Sequence, residues 1–376
     1  MYNLSDNQMR AVTTTKKKVV VHSGAGAGKT ACLAARIKWL LQNGYKPEEI
    51  VAITYTNNAA DTMTQRVGNI PNLKICTLHS YANYLLTVGC ISTTEVLENK
   101  KFDDLFDLVE KHPECIKPVR VMLIDEAHDL SQLELKFIFD IIKPEEWMMF
   151  FDEKQHIYSF KEEKNNKVGT YGMDFGLNLM KQRDVDVIEF YENFRNASDI
   201  LDFARTLIAP PGCPFYDSTR ATRGYGGKVI KGTYLLNEES CKVAQFLRIY
   251  NHKYNGNYKD WFVLVRSNKE VDDIATYFQM LDPPIPCDTF KQSQLDVAGI
   301  EKKLEEDTVK ILTIHSAKGL ENKYVIVVDT MWDSDVDRDR LRYVGATRAE
   351  DVLIWLKQGK DYTAKKKKNN KKEWFS

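Results

Sequence analysis

The stretch VVVHSGAGAGKTACLAARIKWLL, residues 19 to 41, decides the fold. Val19 to Val21 form a short β-branched run suited to a buried strand, a glycine-rich turn follows, and apolar residues then recur at helical spacing. Strand, tight turn and helix in that order open a parallel α/β sheet. The turn itself, Ser23 to Thr30, reads SGAGAGKT. Its glycines let successive backbone N–H groups wrap around phosphate at the helix N-terminus. Lys29 is placed for the β/γ-phosphates and the Thr30 hydroxyl for Mg²⁺. Ser23, Gly24, Ala25, Gly26, Ala27, Gly28, Lys29 and Thr30 are therefore assigned to a nucleotide, and Arg36 on the following helix is assigned with them. Ser23 stands where the strict pattern carries glycine.

The same alternation continues along the chain. Strands are expected at 50–54 (IVAIT), 121–124 (VMLI) and 147–151 (WMMFF), and a second set at 261–265, 309–314, 324–328 and 352–356. Runs that are apolar throughout, separated by helical patterns, indicate parallel sheets covered on both faces. The 376 residues, at roughly 150 per domain, accommodate two such domains. The Pro/Gly-bearing stretch 209–227 between the two sets reads as a long surface loop of the second. No internal repeat is evident.

Composition excludes other classes. No apolar run approaches the about 20 residues that span a bilayer, and MYNLSDNQMR has the character of neither a secretory signal nor a transit peptide. The seven cysteines are scattered without a CxxC pair, which suits reduced thiols in an intracellular compartment, cytoplasm or nucleus. Lysine plus arginine equals aspartate plus glutamate, 53 each, so net charge does not by itself point to a polyanion. The one concentrated basic run, Lys365 to Lys368 with Lys371 and Lys372, reads as a solvated, disordered end.

A second acidic signature, LIDEAHD, follows the run at 121–124. Asp125 at a strand end suits Mg²⁺ and Glu126 suits orientation of an attacking water. In open α/β sheets ligands bind beyond the carboxyl ends of the strands, so the phosphate turn, Asp125 to Asp129 and Asp152 to Gln155 converge on one crevice. ATP and Mg²⁺ are the expected ligands. A kinase, a GTPase or a nucleotide switch would carry the same two signatures.

Further motifs decide between them. LSDNQMRAV, AITYTNNAADTM, CTLHSYANYLL, FFDEKQHIYSFK, EFYENFRNASDIL, TIHSAKGLE and RYVGATRAED occur in that order. The series resembles the UvrD/Rep/PcrA family of superfamily 1 helicases from Leu4 to about Leu356. The resemblance implies two tandem RecA-like P-loop domains with an ATP cleft between them. It assigns Gln8 to adenine, although Ser5 and Gln8 also form an S-x-x-Q capping box, and one side chain cannot easily serve both. It assigns Tyr55, Asn57, His79, Tyr158, Phe160, Lys161 and His315 to single-stranded DNA, with Lys161 in place of an arginine. Gln155 becomes the γ-phosphate sensor, Phe194 the adenine-stacking ring in place of tyrosine, and Arg195 and Glu321 nucleotide ligands. Arg348 becomes an arginine finger.

What the resemblance implies is a DNA-dependent ATPase that moves 3′ to 5′ along single-stranded or partial duplex DNA. It would act as a monomer in replication, repair or recombination, with a protein partner from those processes. The expected layout is a first domain over 1–190 with a reduced insertion near 80–118, a second over 191–358, and the basic tail 359–376. Large accessory insertions and a nuclease fusion are not expected. Two other readings stand beside it: an ATP-gated clamp on single-stranded nucleic acid, and a P-loop phosphotransferase acting on a small molecule.

Overall fold

The computed structural model describes residues 4–99, 101–157, 171–208, 214–224, 226–289, 297–330 and 337–359. Its contacts divide the chain into two compact units, Met1–Phe194 with Gly212–Arg220, and Arg195–Pro211 with the chain from Ala221 onward.

The first unit is built on six parallel strands, β1 Lys18–Ser23, β2 Ile50–Thr54, β3 Lys74–Thr77, β4 Val121–Ile124, β5 Glu146–Phe151 and β6 Asp186–Phe190, in the order β3-β2-β4-β5-β1-β6. Val20, Ile53, Ile124 and Phe151 enter one buried cluster, while Val21, Ala52, Leu123 and Phe150 enter another. Successive residues alternate between the two faces of a sheet, so these strands must be apolar at every position.

The second unit repeats the plan with β7 Lys228–Tyr234, β8 Trp261–Val265, β9 Cys287–Thr289, β10 Val309–Thr313, β11 Asn322–Asp329 and β12 Ala349–Gln358, ordered β9-β10-β8-β11-β12-β7. Every pairing in both sheets is parallel. These are the sheets of RecA-like domains.

Helix starts at the functional edge of the first unit follow the local sequence. Thr56 caps Asn57–Val67 through Ala59 N–H, and Thr77 caps Leu78–Val88 through Ser80 N–H. Each hydroxyl satisfies a donor that the helix leaves open. Among the described residues between Leu78–Val88 and β4, the helices are the short Thr94–Glu98, Asp104–Lys111 and Pro113–Cys115. Leu105, Phe106 and Val109 bury one face of the middle one.

The helix Tyr171–Leu179 lies unusually close to its neighbours. A Cβ at Gly172 would fall 2.6 to 2.9 Å from the carbonyl oxygens of Leu130, Ala127 and His128, and one at Gly176 only 2.3 to 3.0 Å from the Phe151 ring. Only glycine at these two positions, one turn apart, permits that approach.

The stretch 209–227 does not behave as a surface loop of the second unit. Residues 212–220 belong to the first, where Pro214–Ser218 forms a short helix with Phe215 and Tyr216 buried. The aromatic pair drives this docking, because two large rings gain more by burial than the flanking glycines gain by solvation. The basic tail lies outside the described residues.

Candidate functional site

Because the first sheet is wholly parallel, Ser23, Thr54, Ile124 and Phe151 end their strands on one edge. The phosphate turn leaves β1 there. Gly26 and Gly28 take left-handed backbone angles, φ 69° and 74°, and Gly28 opens the helix Lys29–Gln42 without any side-chain cap. The neighbouring helices are capped by threonines, so this N-terminus alone among them keeps its donors for an anion. Lys29 is buried at the first position of that helix. Ser23 Oγ, fully buried, has no partner among the described residues. An unengaged hydroxyl, open N–H groups and a lysine on one turn fit a polyphosphate.

Gln8 braces this turn. Its Oε1 accepts from Ser5 N–H at 2.9 Å, completing the capping box, and its Nε2 donates to the Ala27 carbonyl at 2.9 Å. The sequence set capping against adenine reading; in the structure the amide caps and also holds the phosphate turn. Asn193 Nδ2 donates to Ala25 O at 2.8 Å and Phe194 N–H to Gly26 O at 2.9 Å. The Phe194 ring is 39% exposed and lies 3.7 Å from where a Gly28 Cβ would stand. These contacts put Phe194 in the first unit, beside the turn.

Arg36 is placed differently. Two turns along the helix, it is buried, donates to the carbonyls of Val12 at 2.8 Å and Thr14 at 2.7 Å, and lies over the Trp39 ring. Burial lowers its pKa. Its contacts are those of a pin holding the end of the helix Asp6–Thr13.

The acidic turn extends the ladder beyond β4, since Asp125 N–H donates to Ile53 O at 2.9 Å. Glu126 follows with a left-handed φ of 49°, a conformation that non-glycine residues hold only where their surroundings impose it. His128 Nδ1 accepts from Asp152 N–H at 3.2 Å, so in the neutral ring the proton sits on Nε2, which lies 2.9 Å from Glu126 Oε2. Asp152 Oδ2 accepts from Gln155 Nε2 at 2.5 Å. His128, Asp152 and Gln155 thus form one hydrogen-bonded chain across two strand ends, with the Glu126 carboxylate beside its His128 end. The sequence supplied Glu126 and Gln155 but not the two residues between them. The histidine inside DEAHD and the aspartate three positions before Gln155 were the available signals.

Beside this chain, a small pocket lined by Thr54, Tyr55, His79, Asp125 and Glu134 brings two candidate strand residues to the candidate metal residue. His79 Nε2 lies 2.9 Å from Asp103 Oδ1 and its ring packs 4.8 Å from that of Phe106. The histidine holds the Asp103 carboxyl below its usual range. Asn57 is exposed at the first turn of its helix. Tyr158, Phe160 and Lys161 lie outside the described residues.

In the second unit, Arg195 and Glu321 form an ion pair, so two expected nucleotide ligands meet. His315 is half-buried, just past the end of β10. Arg348 is 1% exposed. Its Nε donates to Val344 O at 3.0 Å, and its two terminal nitrogens to Leu320 O and Thr347 Oγ1, each at 3.2 Å. It is an interior arginine rather than a surface one. Asn196 fastens the start of this unit by donating to the carbonyls of Thr347 and Ala349.

Comparison with known proteins finds two family matches along the chain. Residues 4–117 match the UvrD/REP helicase N-terminal domain, and residues 308–354 the UvrD-like helicase C-terminal domain. A probable DNA helicase of Mycoplasma pneumoniae is 26% identical over 220 residues, covering 55% of this chain and 36% of that protein. DNA helicase II of Escherichia coli is 27% identical over 222 residues, covering 55% and 26%. A putative ATP-dependent DNA helicase of Acanthamoeba polyphaga mimivirus is 25% identical over 353 residues, covering 86% and 48%. The chain therefore spans between about a quarter and a half of the length of these relatives. With parallel strands and the phosphate turn in the first match and parallel strands through the second, the chain is similar to the UvrD-like helicases over these two stretches.

Proposed function

We propose that the chain is an ATP-dependent translocase or helicase on single-stranded DNA, moving 3′ to 5′, that couples Mg-ATP hydrolysis to strand movement in replication, repair or recombination. One observation carries the reading: the candidate sensor Gln155 is joined through Asp152 to His128, whose Nε2 lies 2.9 Å from the candidate general base Glu126, at the edge where the phosphate turn opens.

In this reading Lys29 and the open N–H groups of its helix hold the polyphosphate, and Thr30 with Asp125 holds Mg²⁺. The ion, when bound, supplies charge neutralisation on the phosphates. Glu126 orients water and accepts its proton, with His128 Nε2 beside the carboxylate. Phe194 offers a face to adenine, and Gln8 acts as its reader beside the turn. On the second unit, Arg195 and Glu321 are the nucleotide residues and Arg348 the finger. Tyr55, Asn57, His79 and His315 contact the strand together with Tyr158, Phe160 and Lys161. Stacking of bases on aromatic rings suits a motor because it tolerates any sequence. Asp125 shares a pocket with Tyr55 and His79, which supports communication between strand and nucleotide.

The test is steady-state ATPase with Mg²⁺, alone and with poly-dT, for the wild type, Lys29→Ala and Glu126→Gln. Strand-stimulated turnover that falls about 10²-fold or more in Glu126→Gln and disappears in Lys29→Ala is expected. Turnover that survives in clean Lys29→Ala protein would sink the assignment. ATP-dependent strand binding without stimulated turnover would transfer the chain to the clamp reading.

A further inference from the structure

The hydrogen-bonded chain at the catalytic edge has a member from far along the sequence. Tyr216, in the docked segment Pro214–Ser218, donates its hydroxyl to Asp152 Oδ1 at 2.6 Å. The segment is held by aromatic packing. The Phe215 ring stacks on His22 at 3.8 Å and 26°, with Tyr191 at 5.7 Å, and Tyr216 stands perpendicular to Phe215. Thr219 Oγ1 donates to Tyr216 O at 2.8 Å and closes the turn.

Packing explains the ring of Tyr216 but not its hydroxyl, since phenylalanine would fill the same space. The hydroxyl answers a need of Asp152. That carboxylate is 0% exposed, and an ionised group at such a site is tolerated only with a full set of donors. Its donors are Lys154 N–H at 3.1 Å and Tyr216 OH on Oδ1, and Gln155 Nε2 on Oδ2. The first and last come from the same turn as Asp152. Tyr216 alone of the three arrives from sixty-four positions away.

We propose that Tyr216 is a positioning residue for ATP hydrolysis: it locks the Asp152 rotamer, and Asp152 in turn sets the Gln155 amide. This rests on the ATPase reading above. Without the hydroxyl, Asp152 Oδ1 keeps one donor, the carboxylate gains freedom about χ1, and Gln155 loses its fixed orientation. The hydroxyl is engaged with Asp152 and acts on the sensor, so the defect falls on the chemical step.

The experiment is a cycle of Tyr216→Phe, Gln155→Ala and the double variant, with kcat and KM for ATP measured on poly-dT and thermal midpoints measured alongside. Loss of one hydrogen bond to a charged group predicts that Tyr216→Phe lowers kcat about tenfold, with KM within about twofold. In the Gln155→Ala background the same substitution should lower kcat no further. A purely structural tyrosine would instead shift the midpoint and leave kcat of the folded fraction intact. A Tyr216→Phe kcat within twofold of an active wild type overturns this proposal alone, as does a tenfold loss that persists without Gln155. A wild type without turnover overturns the ATPase reading as well.

Discussion

Gly28→Ala is the substitution whose consequence can be worked furthest from the geometry. Gly28 has φ 74°, and a Cβ there would stand 2.6 Å from Gln8 Nε2. A side chain in the left-handed region carries a penalty of about 1–2 kcal/mol. The contact forces Gln8 aside as well, and that amide makes two hydrogen bonds of 2.9 Å, to Ser5 and to Ala27. At about 0.5–1.5 kcal/mol each, their loss adds about 1–3 kcal/mol. The total is about 2–5 kcal/mol, which for a unit of this size lowers the thermal midpoint on the order of 5–15 °C. In a Gln8→Ala background nothing remains to be displaced, and Gly28→Ala should then cost only the backbone part. Chemical denaturation of the four proteins measures the coupling, expected at about 1–3 kcal/mol. Equal costs in both backgrounds would refute the claim that Gln8 and Gly28 are mutually constrained.

Other consequences are open to the same kind of measurement. Arg36→Ala removes a buried cation from two carbonyls and should destabilise by about 2–4 kcal/mol, while ATP affinity of the folded protein stays within about twofold; a tenfold weaker nucleotide affinity would return Arg36 to the site. His22 gives a pH signature. Burial alone would lower its pKa, but the hydrogen bond and charge of Glu153, with Asp152 and Glu189, outweigh it and hold the ring above its ordinary 6.5. Burial alone would likewise raise Glu153, yet His22 holds it below its ordinary 4.5. The histidine contribution is therefore complete below pH 6.5 and is lost as pH rises through the raised value; the glutamate contribution is present above 4.5 and lost on acidification. Thermal midpoints of the wild type and His22→Gln should converge as pH rises from 6 to 9, and a constant gap would exclude the pairing.

The strands that the sequence revealed and those it concealed divide along a physical line. The runs at 19–21, 50–54, 121–124, 147–151, 261–265, 309–314, 324–328 and 352–356 all fall in interior strands. Lys74–Thr77, Asp186–Phe190, Lys228–Tyr234 and Cys287–Thr289 gave no signal, and these are the two edges of each sheet. An edge strand has one open side and is covered incompletely, so its apolar pattern is diluted by half-buried polar residues. The site shows a parallel division. Residues assigned to ligand were legible because ligand chemistry restricts such positions to a few types at fixed spacing. Asp152 and His128 carry no such restriction beyond their places inside the two acidic motifs, and Tyr216 lies in no motif at all. The docking of residues 212–220 was hidden because prolines and glycines speak for a loop while Phe215 and Tyr216 decide where it goes.

The closeness of the helix Tyr171–Leu179 to the acidic turn has a mechanical side. Where two elements meet through long side chains, a small displacement of one is absorbed by rotation about χ angles. Between Gly172 and the carbonyls of Ala127, His128 and Leu130 no such compliant layer exists. The two backbones behave as parts of one stiff body, so this helix cannot shift by even an ångström without carrying with it the turn that holds Glu126.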